Sequence, residues 1–167
     1  MFKHYLIKTT NYFRLYVLLA RTLIKKECYL GPFVGEFGHL LSHIVPFVSF
    51  LSSKGVKVHL CGPKIHKPFF KNENGLVIYE SFQELRDFYS EVTPHCNDPL
   101  YPVDIQNDIN LFISKSKMSG SVFWNLLNRS LYWDGFCTWI YHNKFLKIYK
   151  FKNSLEKHSY IKPSIVL

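Results

Sequence analysis

Apolar residues in this chain change rhythm along its length. Between Cys28 and Gly62 they run first as a short block, then at helical spacing, then as a second short block. Cys28-Tyr-Leu, bounded by Gly31 and Pro32, reads as a strand, and Val56-Lys-Val-His-Leu-Cys-Gly62 reads as the next. Between them Leu40, Leu41, Ile44, Val45, Phe47, Val48 and Leu51 form a broad stripe that predicts a helix over 39–51. Pro46 removes one helical hydrogen bond, so a kink is expected near its preceding turn. Gly55 stands where a left-handed residue would close the helix. Strand, helix and strand within about 35 residues make one βαβ unit, whose strands should be parallel and whose crossover should be right-handed.

The rest of the chain is read in the same way. Leu76-Val-Ile-Tyr79 is a third strand, apolar enough to be covered on both faces. Ser81 and Glu84 form a capping-box pattern that opens a helix over 82–90. Pro94, Pro99 and Pro102 mark an irregular segment, after which Ile105, Ile109, Phe112 and Ile113 restore a helical rhythm. Residues 122–131 also read as helix, followed by an aromatic-rich run from Tyr132 to Tyr141 with a break at Gly135. At the other end, a helix from Asn11 to Lys26 aligns Phe13, Val17, Ala20 and Ile24 along one side. That side can pack on the domain or lie in the headgroup region of a membrane. The run from Leu15 to Ala20, bounded by Arg14 and Arg21, is too short to span a bilayer. The fold class expected is α/β: a Rossmann-like parallel sheet flanked by helices, with an N-terminal helix and an irregular, aromatic-rich helical C-terminal part.

Composition narrows the function classes. With 167 residues, 47% of them hydrophobic and 17% aromatic, the chain can bury a core, which argues against wholesale disorder. The net charge of +9 is concentrated at the two ends. Lys3, Lys8, Arg14, Arg21, Lys25 and Lys26 precede Glu27, and six lysines crowd residues 144–162. Basic ends interleaved with aromatics suit an anionic membrane, a nucleic acid or a phosphorylated substrate, and equally suit plain solvated helix faces. Nucleic-acid binding rests on net charge alone and is disfavoured. Cys28, Cys61, Cys96 and Cys137 lie far apart without a CxxC pair, which argues against a zinc ribbon or redox dithiol and fits a reducing, cytoplasmic setting. No phosphate-binding P-loop, zinc motif or nucleophile elbow is present, so no metal or cofactor is expected.

The segment between the first strand and its helix carries the candidate chemistry. Gly35 and Gly38 bracket Glu36 and Phe37, and glycines there permit a turn and a close backbone approach that a Cβ would block. A helix N-terminus at the carboxyl edge of a sheet follows, a setting that favours anions. The spacing departs from the dinucleotide pattern GxGxxG. Gly62-Pro63-Lys64 also stand where a ribose-binding acid would be needed, so a nicotinamide-dependent enzyme is disfavoured.

Gly31-Pro-Phe-Val-Gly-Glu-Phe-Gly-His-Leu-Leu41, together with Ser53-Lys-Gly-Val-Lys-Val-His-Leu-Cys-Gly62, resembles the N-terminal half of two-domain, GT-B type glycosyltransferases. The likeness is to bacterial cell-surface polysaccharide enzymes with a GPxxGEFGxEL opening. It covers residues 28–80 and returns faintly at 161–167. His39 and Leu40 depart from it, standing where an aromatic and then an acidic residue often follow. The resemblance implies transfer of a sugar from a nucleotide-sugar donor to a cell-surface glycan or lipid-linked acceptor.

In that picture the first strand-to-helix loop faces an interdomain cleft. Glu36 is then the first candidate base and His39 the second, with Gly35, Phe37 and Gly38 lining the substrate site. Lys64, His66 and Lys67 would reach a phosphate or anionic acceptor from the same edge. A favourable charge at a helix N-terminus and simple surface solvation are the competing structural roles for these side chains. The resemblance also divides the chain into a basic amphipathic helix (1–27), an acceptor-side domain (28–155), and a linker with the start of a missing donor-binding domain (156–167). A chain so cut would be inactive alone, and would be cytoplasmic or peripheral on the inner face of the membrane through its basic N-terminal helix. The rival reading is a non-catalytic basic module that binds a membrane surface or a protein partner.

Overall fold

The computed structural model describes residues 2–34, 37–70, 74–82, 103–128 and 135–142. In chain order the elements are α1 (Phe2–Lys25), β1 (Glu27–Gly31), α2 (Phe37–His39), a π-turn (Leu40–Ile44) and α3 (Val45–Ser53). They continue with β2 (Lys57–Gly62), a 3-10 helix (Lys64–Phe69), β3 (Val77–Ser81), α4 (Val103–Met118), β4 (Val122–Asn125) and α5 (Cys137–His142). The strands form one all-parallel sheet in the order β3-β2-β1-β4. With helices on its faces, this is the Rossmann-like α/β arrangement expected of the βαβ pattern.

Register decides which residues share a face. Cys28 pairs with Val58 and Val122, and Leu30 pairs with Leu60 and Trp124, so these side chains line one side of the sheet. There they join Leu15 and Leu19 of α1, Leu40, Ile44 and Phe47 from the segment after β1, and Trp139 and Ile140 of α5. Tyr29, Cys61 and Phe123 point to the other side, where Ile109 and Phe112 of α4 cover them. Lys115 of α4 also reaches across to Glu80 of β3 at 2.6 Å.

The helix after β1 contains the irregularity expected at Pro46. The N–H of Val45 reaches the carbonyl of Leu40, five residues back, in a π-turn just before the proline, which has no N–H to donate. Pro46 then occupies the first turn of α3, where its missing donor matters least. Gly55, at φ +71°, ends α3: its N–H bonds the carbonyl of Ser52 (2.9 Å), and Val56 N–H bonds that of Leu51 (3.1 Å).

Several expected elements differ. Residues 122–125 are a strand, not the start of a helix. Gly120 at φ +62° breaks the chain after α4, and alternating burial from Val122 to Asn125 fits a pleated element with one face buried and the other half-buried. Ser81 is the last residue of β3 and Phe82 is a buried, non-helical residue, while 83–90 lie outside the described residues. Among the described residues β3 is an edge strand, half-buried beyond Val77 where an apolar strand covered on both faces was expected. The N-terminal helix begins at Phe2, well before Asn11, and of the two alternatives for the Phe13 side, packing on the domain is not the one found, because the opposite side packs. Asn11, Leu15, Leu19 and Thr22 are buried, whereas Phe13, Val17, Ala20 and Ile24 face outward.

Thr22 joins α1 to the sheet. Its hydroxyl donates to the carbonyl of Leu18 (2.8 Å) and accepts the indole N–H of Trp124 (2.9 Å) in a fully buried setting. Replacing Thr22 by Val keeps the shape and leaves that N–H unpaired in the core. Urea unfolding should show a loss of about 1–3 kcal/mol for Thr22→Val. The same change made in a Trp124→Phe background, where no donor remains to be orphaned, should have a clearly smaller effect.

Candidate functional site

The order β3-β2-β1-β4 places a topological switch between β1 and β4. From β1 the chain moves outward through β2 to β3 and later returns to the other side of β1. In open parallel sheets, ligands bind in the crevice outside the carboxyl ends of the strands at such a point. Here those ends are Gly31 and Asn125, which the register sets side by side.

Backbone bonds link the carboxyl ends of all four strands. Phe33 N–H donates to the carbonyl of Cys61 (2.9 Å), Phe82 N–H to that of Gly62 (3.0 Å), and Leu126 N–H to that of Gly31 (3.4 Å). Two glycines make this closeness available. A Cβ on Gly31, already at φ +132°, would sit 3.3 Å from the carbonyl oxygen of Cys61. A Cβ on Gly62 would stand 2.7 Å from the Tyr79 hydroxyl and 3.0 Å from the carbonyl oxygen of Phe33. That hydroxyl donates to the carbonyl of Pro63 at 2.8 Å. At the end of β4, Asn125 Oδ1 accepts the N–H of Leu127 (3.0 Å) and closes the following turn.

The sequence-derived site residues distribute unevenly over this rim. Gly35 and Glu36 lie outside the described residues, as does the side chain of Phe37. Gly38 is exposed at the start of the helical segment, and among the described residues nothing beyond its chain neighbours and its own helix backbone lies within 4 Å of where its Cβ would be. His39 is half-buried and its ring stands 5.4 Å from that of His43. Lys64 and Lys67 are exposed on the 3-10 helix that follows β2.

His66 departs from expectation. It does not project as a surface cation, since it is 5% exposed and packs at 5.8 Å from the ring of Phe33. Burial pushes its pKa down to about 4, so it is neutral at pH 7. Its neighbour Ile65 takes the outward position instead.

Reading the chain by residue type left out two groups. One is the end of β4, hidden because 122–131 read as helix and because Val122, Phe123 and Trp124 form an apolar block with no polar alternation to mark a strand. The other is the Ser42–His43 pair. Ser42 Oγ donates its single proton to the carbonyl of Gly38 (2.7 Å), so at 2.6 Å it accepts from His43 Nδ1–H. This fixes the tautomer and leaves Nε2 of neutral His43 as the acceptor. Burial first, and the nearby His39 ring second, lower the His43 pKa against a hydrogen bond with the His39 backbone.

A second polar cluster lies at the opposite, amino edge of the sheet. Glu27 Oε1 contacts His59 Nε2 (2.9 Å) and Lys57 Nζ (3.3 Å), and Tyr29 stacks on the His59 ring at 4.4 Å. The His59 hydrogen bond is the largest cause of the lowered Glu27 pKa. These groups satisfy one another and tie β1 to β2. Cys28 and Cys61 are buried, and burial pushes both thiols up to about 12, which keeps them unreactive at neutral pH. Among the described residues no three His, Cys, Asp or Glu side chains converge in a way that could hold a metal ion.

The fold and its rim define a Rossmann-like α/β domain whose strand order reverses at the carboxyl ends of β1 and β4. Compared with protein-family models, curated protein sequences and solved structures, the chain matches none of them.

The state of His66 gives a pH dependence. The buried ring takes up a proton less readily than the same ring in the unfolded chain, so below pH 6.5 the unfolded state binds more protons and stability falls on acidification. The His66 share should be on the order of 3 kcal/mol between its ordinary pKa and about 4. Urea unfolding at about pH 7 and about pH 4.5 should show a steep loss in the wild type and a flatter one in His66→Phe, with His43 supplying the residual slope.

Proposed function

We propose that this chain is the acceptor-side, Rossmann-like half of a GT-B type glycosyltransferase. It would position a cell-surface glycan or lipid-linked acceptor for transfer of a sugar from a nucleotide-sugar held by a donor-binding half. One observation carries this reading: the segment that resembles the GPxxGEFG opening leaves β1 at the carboxyl rim, beside the switch between β1 and β4.

In the reaction, an acceptor hydroxyl oxygen attacks the anomeric carbon of the donor sugar. The bond from that carbon to the nucleotide diphosphate breaks, and the diphosphate leaves with the electron pair. The hydroxyl proton passes to a base on the acceptor side. Glu36 is assigned that role first and His39 second. Gly35, Phe37 and Gly38 line the acceptor site. Lys64 and Lys67 meet the phosphate of a lipid-linked acceptor, a task that the neutral, buried His66 does not share.

Calorimetric titration of the full chain with a short-chain polyprenyl diphosphate sugar should give saturable binding. His39→Ala and the double change Lys64→Ala/Lys67→Ala should each weaken it by about tenfold. A chain that does not bind this acceptor, or variants that bind it as tightly as wild type, would remove the acceptor role.

A further inference from the structure

α1 has two apolar faces, and the sheet uses only one. Leu15 and Leu19 enter the core, with Thr22 bonded to Trp124. On the other side Phe13, Val17, Ala20 and Ile24, spaced at i, i+4, i+7 and i+11, form a straight stripe along the helix. Phe13 is 69% and Ile24 81% exposed. Tyr16, half exposed, marks one margin and stands edge-on to Trp139 at 5.5 Å. Arg14 and Arg21, both exposed and one above the other, mark the opposite margin.

Charge selects the occupant of this face. α1 contains no Asp or Glu. Lys25 and Lys26 have structural tasks, donating to the carbonyls of Gly120 (2.6 Å) and Lys54 (2.8 Å) just past the ends of α4 and α3. Among the described side chains of α1, the arginines therefore set the chemistry of the outward face. The stripe lies along one face of a single helix, so it suits a flat target. A second copy of the chain would bring the same arginines and another +9 body against it, and like charge opposes that pairing. An anionic bilayer supplies both apolar depth and negative surface. No helix among the described residues is long and apolar enough to cross a membrane, so α1 would lie along the surface.

We propose that the outward face of α1 docks on an anionic membrane, with Phe13, Val17 and Ile24 entering the acyl boundary and Arg14 and Arg21 meeting lipid phosphates. This docking holds whether or not the carboxyl rim binds a sugar acceptor. Co-sedimentation of the full chain with phosphatidylglycerol vesicles, phosphatidylcholine vesicles serving as the neutral comparison, tests it directly.

Binding to phosphatidylglycerol should exceed binding to phosphatidylcholine by at least about tenfold and fall with added salt. Phe13→Ser/Ile24→Ser should weaken it by at least about tenfold, and Arg14→Gln/Arg21→Gln should weaken it on anionic vesicles only. All four positions are exposed, so thermal melts of both variants should match wild type. The proposal is overturned if anionic vesicles are not bound, or if Phe13→Ser/Ile24→Ser binds them as wild type does. It is equally overturned if the chain forms a concentration-dependent dimer that this same variant dissociates.

Discussion

The indole N–H of Trp124 is the polar group on which the packing of this molecule turns. Trp124 is among the largest fully buried side chains and stands at the centre of an aromatic cluster, 4.9 Å from Phe47, 5.9 Å from Phe136 and 6.3 Å from Trp139. A ring so placed brings a donor into an apolar interior, where an unmet N–H is expensive. Thr22 meets it. That one bond fixes α1 over β4, and β4 is the strand that completes the sheet beside β1. The same ring pins the helical segment after β1 through Phe47 and the C-terminal α5 through Trp139. Elements far apart in sequence thus share one satisfied donor.

Holding β4 against β1 decides the strand order of the sheet. Without β4 the sheet would run in one direction from β1 to β3 and would have no switch in strand order. With it, Gly31 and Asn125 stand side by side at the carboxyl edge, and the backbone of the loop after β1 is pulled onto the end of β2 through Phe33 and Cys61. Glycines at 31 and 62 make that approach sterically free. The opposite edge is closed by a self-satisfied network around Glu27, Lys57 and His59. The two ends of the sheet therefore differ in kind, one bonded into itself and the other built from loop backbone, a helix start and exposed lysines.

The βαβ unit was legible because three signals agreed: glycine and proline at the turns, a helical stripe from Leu40 to Leu51, and apolar blocks on either side. Pro46 marked its own irregularity. β4 was not legible, because four residues running into Leu126 and Leu127 fit a helix or a strand equally well, and only pairing to β1 decides between them. α1 was half legible. Both of its sides are apolar, so periodicity found the helix, while the need of Trp124 for a partner at Thr22 decided which side turned inward. At the rim, the sequence located the loop, but His66 and Ile65 exchange the places their polarity implies, since the His66 ring packs beside Phe33. Gly35 and Glu36, the centre of the expected site, lie outside the described residues.

The claim that the carboxyl rim is the working edge can be tested residue by residue. In amide-resolved NMR of the labelled chain titrated with a glycan acceptor, shift changes should concentrate on Phe33, Gly38, His39, Lys64 and Asn125. Changes centred on Glu27, Lys57 and Ser121, at the amino edge, would contradict it.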